Sequence, residues 1–135
     1  MKVLIVDDDS TTRIVLQRIL SRYGEVHSCL YGTEAVQACT MALEHEDPYD
    51  LICMDIFMPS MDGLAALKLI RQEEERHGRS HARRAKVIIT TASEDDESIH
   101  AAFQQLCDAY IVKPIDATEL LNIVYCLCPV EERAL

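Results

Sequence analysis

An apolar run, Leu51-Ile52-Cys53-Met54, ends in the carboxylate of Asp55 and is followed at once by Phe57-Met58-Pro59-Ser60-Met61-Asp62-Gly63. A second run, Val3-Leu4-Ile5-Val6, ends the same way in Asp7-Asp8-Asp9. Runs this short and this apolar suit strands covered on both faces, and two of them side by side gather three or four carboxylates at one edge of a sheet. Like charges held there oppose one another by on the order of several kcal/mol unless a cation sits among them. The pattern therefore asks for a covered parallel sheet and for a cation at its edge.

The rest of the chain extends the same alternation. Strands are expected at Lys2–Asp7, Glu25–Leu30, Asp50–Asp55, Lys86–Thr91 and Ala109–Val112, with amphipathic segments between them. Ile99, Ala102, Phe103 and Leu106 recur at helical spacing, as do Ala35, Ala38, Cys39, Ala42 and Leu43, and Thr118 to Leu127 reads as a terminal helix. Five strands alternating with five helices of about three turns make an α/β chain with a doubly wound parallel sheet. Residues 1–128 read as one domain and 129–135 as a short tail, too short for an output domain, so the chain is expected to stand alone.

Composition narrows the function classes. With 23 acidic against 13 basic residues the formal charge is −10, which disfavours direct binding to nucleic acid or an anionic membrane. No apolar stretch approaches the roughly 20 residues that span a bilayer, and the expected location is cytoplasmic. The six cysteines are scattered, and Cys126-x-Cys128 is tighter than a usual ligand pair, so they read as reduced thiols used as small hydrophobes. The five histidines form no phospho-accepting or metal-binding arrangement. One oddity is the basic island from His77 to Lys86, read as a solvated loop, with a docking patch as the other reading.

In an open parallel sheet, ligands bind beyond the carboxyl ends of the strands. Asp7-Asp8, Asp55, Thr90-Thr91-Ala92-Ser93 and Lys113-Pro114 all fall there, from four separate segments. Carboxylates, a hydroxyl and a lysine suit phosphoryl transfer to an Asp nucleophile, with a divalent cation and the lysine neutralising the phosphoryl oxygens. Hard oxygen donors favour Mg²⁺ over zinc. Asp8 is the direct ligand candidate and Asp7 acts through water.

These motifs, Val6-Asp7-Asp8, Met54-Asp55-x-x-Met58-Pro59-x-Met61-Asp62-Gly63, Thr91-Ala92 and Tyr110-x-x-Lys113-Pro114, resemble the receiver domain of two-component response regulators, from Met1 to about Leu127. The resemblance implies the flavodoxin-like strand order 2-1-3-4-5 and a chemotaxis-type single-domain regulator in a phosphorelay. It implies Asp55 as phospho-acceptor, Asp7, Asp8, Asp55 and the Phe57 carbonyl around Mg²⁺, Thr91 and Lys113 on the phosphoryl group, and Thr91 with Tyr110 as the switch. The Lys113-Pro114 bond is expected to be cis. The implied donor is a sensor histidine kinase or histidine phosphotransfer protein, and the output is contact with a downstream protein, without direct nucleic-acid binding or membrane insertion. Such a domain is a signalling switch that catalyses only its own phosphorylation and dephosphorylation, not an enzyme on other substrates. Asp9 reads as a helix cap ahead of Thr11-Thr12.

Two rival readings accompany this one. Asp7-x-Asp9-x-Thr11 also looks like the nucleophile motif of haloacid-dehalogenase-type phosphatases, with Asp7 as nucleophile and Asp9 as general acid/base. No acidic pair follows Lys113 to complete that site, and Asp55 would be left without a role. The other rival is a receiver-like interaction module that is not phosphorylated, which the intact acids, threonine and lysine oppose.

Overall fold

The computed structural model describes residues 1–56, 63–92, 101, 103, 104 and 106–128. Five strands, β1 (Lys2–Val6), β2 (Glu25–Cys29), β3 (Leu51–Asp55), β4 (Lys86–Thr91) and β5 (Ala109–Val112), form one parallel sheet in the order β2-β1-β3-β4-β5. Four helices flank it among the described residues: α1 (Ser10–Leu20), α2 (Gly32–Glu44), α3 (Gly63–Arg76) and α4 (Ala117–Leu127). A fifth helix, expected around Ile99–Leu106, lies largely outside the described residues. Asp7, Leu30 and Asp50 fall one residue beyond the strands assigned to them. Asp50 still joins the ladder through its N–H to the Lys2 carbonyl at 2.8 Å.

Alternation along each strand divides the core in two. Leu4, Val6, Ile52, Met54, Val87 and Ile89 face α2 and α3, where Ala35, Cys39, Ala66, Leu67 and Ile70 meet them. Val3, Ile5, Leu51, Cys53, Ile88 and Ile111 face α1 and α4 through Leu16, Leu20, Leu120 and Val124. Both faces of the central strands are dry, which explains why β1, β3 and β4 read as continuous apolar runs. Burying each of the Val, Leu, Ile and Met side chains among them contributes roughly 1.5–3 kcal/mol.

Local chemistry sets where the helices begin and end. Asp9 caps α1, accepting from the Thr11 and Thr12 N–H groups at 3.3 Å and from the Thr12 hydroxyl at 2.7 Å. Glu34 reaches back to the N–H groups of Leu30 and Tyr31 at 3.1 Å, and Asp116 accepts from Thr118 N–H at 3.0 Å. At the far end of α3, Gly78 has φ 73°, its N–H bonds the Glu75 carbonyl, and the Arg79 N–H bonds the Glu74 carbonyl. That pair of bonds with a left-handed glycine is a Schellman stop.

Candidate functional site

The strand order reverses between β1 and β3, so their carboxyl ends open onto one crevice, the place where such sheets bind ligands. Asp7 follows β1 directly and Asp55 closes β3, while Asp8 stands exposed at the start of the β1–α1 loop. A carboxylate oxygen from each of Asp7, Asp8 and Asp55 lies within 4.8 Å of the others. Asp7 is 1% exposed and Asp55 8%, so two of the three charges are largely removed from water. The carboxylate cluster expected from sequence is thus assembled.

Lys113 answers the cluster from the end of β5. Its Nζ lies 2.9 Å from Asp7 Oδ2 and 3.4 Å from Asp55 Oδ2. Burial works against its charge, but hydrogen bonds with Asp7 and Asp55 and their negative charges prevail and hold the ammonium above its ordinary value. The Lys113-Pro114 bond is cis. The Lys113 N–H also bonds the Thr91 carbonyl at 2.7 Å, tying the lysine's backbone to β4.

Around Asp7 the backbone is fixed on several sides. Oδ1 accepts from the Asp9 N–H at 2.9 Å, and the Asp7 carbonyl accepts from the Arg13 guanidinium at 2.8 Å. Oδ2 is buried and lies 2.9 Å from the Lys113 ammonium. A buried carboxylate oxygen with an open lone pair, beside two further carboxylates, is a donor set of hard oxygens suited to Mg²⁺. Arg13 was not singled out in the sequence; the available signal was a basic residue one turn into the helix that follows the acidic triplet.

Thr91 ends β4 and is buried. Asp55 pairs with Thr90 in the β3–β4 register, so Thr91 stands one residue higher, at the rim. Tyr110 pairs with Ile89 and therefore shares Thr91's side of the sheet, where it packs against the core under α2 and α3. Burial foremost, with a hydrogen bond to Cys107, pushes the Tyr110 phenol well above its ordinary value. Phe57, expected to offer its carbonyl, lies outside the described residues. Asp9 is engaged as a cap, its carboxyl held low chiefly by the Thr12 hydroxyl.

Beside Lys113, a groove of about 400 Å³ runs between the start of α1 and the β5–α4 loop, walled by Thr11, Val15, Pro114 and Ile115. It gives the carboxylate edge an open flank.

Residues 3–125 match the family described as the response regulator receiver domain. The chain belongs to this family. Its members are phospho-accepting signalling switches of two-component and phosphorelay systems, so the phosphatase reading gives way to the receiver one. The chain is 35% identical over 122 residues to the sensory/regulatory protein RpfC of Xanthomonas campestris, covering 90% of this chain and 16% of that protein. It is 39% identical over 122 residues to the DNA-binding transcriptional regulator NtrC of Salmonella typhimurium, covering 90% and 24%. It thus spans under a quarter of the length of either relative.

Solved receiver structures share the architecture. The receiver domain of the histidine kinase CKI1 from Arabidopsis thaliana, complexed with Mg²⁺ and BeF₃⁻, superposes with a TM-score of 0.78 at 30% identity, covering 90% of this chain and 88% of that one. The receiver of sensor histidine kinase PA1611 from Pseudomonas aeruginosa, with magnesium coordinated in its active site cleft, gives 0.74 at 26% identity, covering 93% and 95%. Among the described residues of the present chain, no helix is long and apolar enough to cross a membrane.

Proposed function

We propose that this receiver domain accepts a phosphoryl group on Asp55 from a phosphohistidine of a sensor kinase or phosphotransfer protein, and that the acyl phosphate alters a protein-binding surface. The observation that carries this reading is the Asp55 carboxylate at the sheet edge, grouped with Asp7 and Asp8 and 3.4 Å from the Lys113 ammonium. Asp7, Asp8, Asp55 and the Phe57 carbonyl would hold Mg²⁺, Asp8 directly and Asp7 through water. When bound, the cation neutralises charge on the phosphoryl oxygens and screens the carboxylates from one another.

The chain's own groups divide the remaining work. An Asp55 oxygen attacks phosphorus, the P–N bond to the donor imidazole breaks, and the departing nitrogen keeps the electron pair and takes up a proton. Lys113, already between Asp7 and Asp55, places its positive charge against the incoming phosphoryl oxygens and needs little reorganisation to do so. The Thr91 hydroxyl donates a hydrogen bond to a phosphoryl oxygen. Drawing Thr91 toward Asp55 changes the space above Ile89 on the sheet side that Tyr110 shares, which biases Tyr110 between packing arrangements. The groove flanked by Thr11, Val15 and Ile115 supplies an apolar approach for the donor protein. Taking the domain as cytoplasmic, its output is contact with another protein or protein segment.

Treatment with acetyl phosphate and Mg²⁺, followed by mass spectrometry, tests the reading. A single phosphoryl group is expected on Asp55, absent in Asp55→Asn and reduced together with Mg²⁺ affinity in Asp8→Ala. Label on Asp7, or undiminished label in Asp55→Asn, would instead support the phosphatase-like chemistry.

A further inference from the structure

The basic island has a structure of its own, at the end of the sheet opposite Asp55. β4 starts at Lys86 and ends at Thr91, so the two ends lie roughly 17 Å apart at about 3.3 Å per residue. At the Lys86 end, a recess of about 490 Å³ brings together Arg79, Arg83, Arg84 and Lys86 with Tyr49 and Asp50. Its volume is within the range of small-molecule sites. Four of the chain's thirteen basic residues meet here against one carboxylate, in a protein whose overall charge is −10.

Three further observations separate this recess from an ordinary solvated loop. Among the described residues, no ion pair joins Arg79, Arg83 or Lys86 to a carboxylate, although acids outnumber bases across the chain. The single acid, Asp50, is held by the Lys2 N–H, which donates to its Oδ2 at 2.7 Å, and among the described residues no ion pair joins it to Arg79, Arg83 or Lys86. The segment is also held in place: the Schellman stop at Gly78 turns the chain, the one-turn 3-10 helix His81–Arg83 follows, and the Arg79 guanidinium donates to the Arg83 carbonyl at 2.7 Å. Cations assembled by the backbone lose little further freedom on binding an anion. Arg84 is pushed below its ordinary value by burial and then by the Arg71 guanidinium, while Asp108 and Glu74 act in the opposite direction.

We propose that the recess formed by Arg79, Arg83, Arg84 and Lys86 beside Tyr49 is a binding site for a small phosphorylated molecule. Guanidinium forks suit phosphate oxygens, and Leu127 and Cys128, which line the recess together with the edge of Tyr49, give it an apolar side for the organic part. A free metabolite is the source rather than a lipid headgroup, because an anionic membrane repels the acidic remainder of the protein.

Inorganic pyrophosphate is the probe, added to the full chain in Mg²⁺-free buffer and followed by amide chemical shifts. Saturable shifts are expected at Tyr49, Asp50 and Arg79–Lys86, with little change around Asp55. Arg83→Gln/Lys86→Gln should weaken binding roughly tenfold or more, and Arg79→Gln by a smaller factor, with the dispersion of the remaining amide signals showing an intact fold. Asp55→Asn should bind as the parent does. Shifts that do not saturate, that centre on Lys113, or that survive the double substitution would overturn the site. Co-sedimentation with phosphoinositide-containing vesicles is expected to fail, and binding to them without a pyrophosphate response would overturn the free-ligand assignment.

Discussion

Gly63 begins α3 directly against the end of β3: a Cβ on it would come 2.7 Å from the carbonyl oxygen of Asp55 and 3.2 Å from that of Ile56. Its own N–H bonds the Ile56 carbonyl at 3.0 Å. The helix and the end of β3 are therefore in backbone contact at Asp55 and Ile56. Gly63→Ala should push α3 away, destabilise the fold by about 1–3 kcal/mol, and slow Asp55 phosphorylation by acetyl phosphate. A urea titration and a phosphorylation time course measure both. An unchanged midpoint and rate would show that the contact is absorbed elsewhere.

The sheet and most of the site were legible in the sequence because they depend on local signals. Continuous apolar runs ending in acids, Asp9 ahead of Thr11-Thr12 and Gly63 after Met61-Asp62 each have a cause within a few residues. Strand order did not follow from periodicity and came only with the family resemblance, since any order of five parallel strands buries both faces. Arg13 on the Asp7 carbonyl was not legible, because a side-chain bond to a carbonyl six residues back leaves no periodic signature. The recess was legible only as a basic island, because its walls from Tyr49, Asp50 and Leu127 come from segments distant in sequence. The small-hydrophobe reading suits Cys39, Cys53 and Cys107, which are buried, but not Cys126, which is exposed.

Lys113 is the counter-ion of the carboxylate cluster in this structure, and a divalent cation competes with it for the same field. Lys113→Met should leave Asp7, Asp8 and Asp55 with unrelieved repulsion. The variant should then melt lower than the parent in EDTA, bind Mg²⁺ more tightly, and gain more in Tm when Mg²⁺ is added. It should also accept phosphoryl groups more slowly, since the positive charge against the phosphoryl oxygens is gone. Thermal melts across a Mg²⁺ series separate these effects, and weaker Mg²⁺ binding in the variant would contradict the competition.

Arg71 ties α3 to the segment that leads into β5. Its guanidinium donates to Glu74 Oε1 at 2.7 Å, to the Ala85 carbonyl at 2.8 Å and to the Leu106 carbonyl at 2.8 Å and 3.0 Å, while Glu74 Oε2 accepts from the Ala85 N–H at 2.7 Å. Both side chains are largely buried. Removing only the cation leaves Glu74 charged and uncompensated, so Arg71→Met should destabilise by about 3–5 kcal/mol. Arg71→Met/Glu74→Gln should recover part of that loss, because an amide oxygen still accepts from Ala85 without a buried charge. Equal midpoints for the single and double variants in urea would show that the lost carbonyl contacts, rather than the stranded carboxylate, dominate.

Two buried thiols give the fold an alkaline limit. Burial, with a smaller push from Glu74, raises Cys39 from 9.0 to about 12, and burial, with a smaller push from Cys128, raises Cys53 to about 12. Between pH 9 and 12 the unfolded chain has lost these protons while the folded chain retains them. The folded state then binds more protons, and stability falls as pH rises through that window, by up to about 1.4 kcal/mol per pH unit for each thiol. Below pH 9 both states hold the protons and these thiols add no slope. Urea midpoints at pH 8, 9 and 10 should decline more steeply for the parent than for Cys39→Ala/Cys53→Ala, even though the variant starts lower through lost packing. Parallel declines would assign the alkaline loss to other groups.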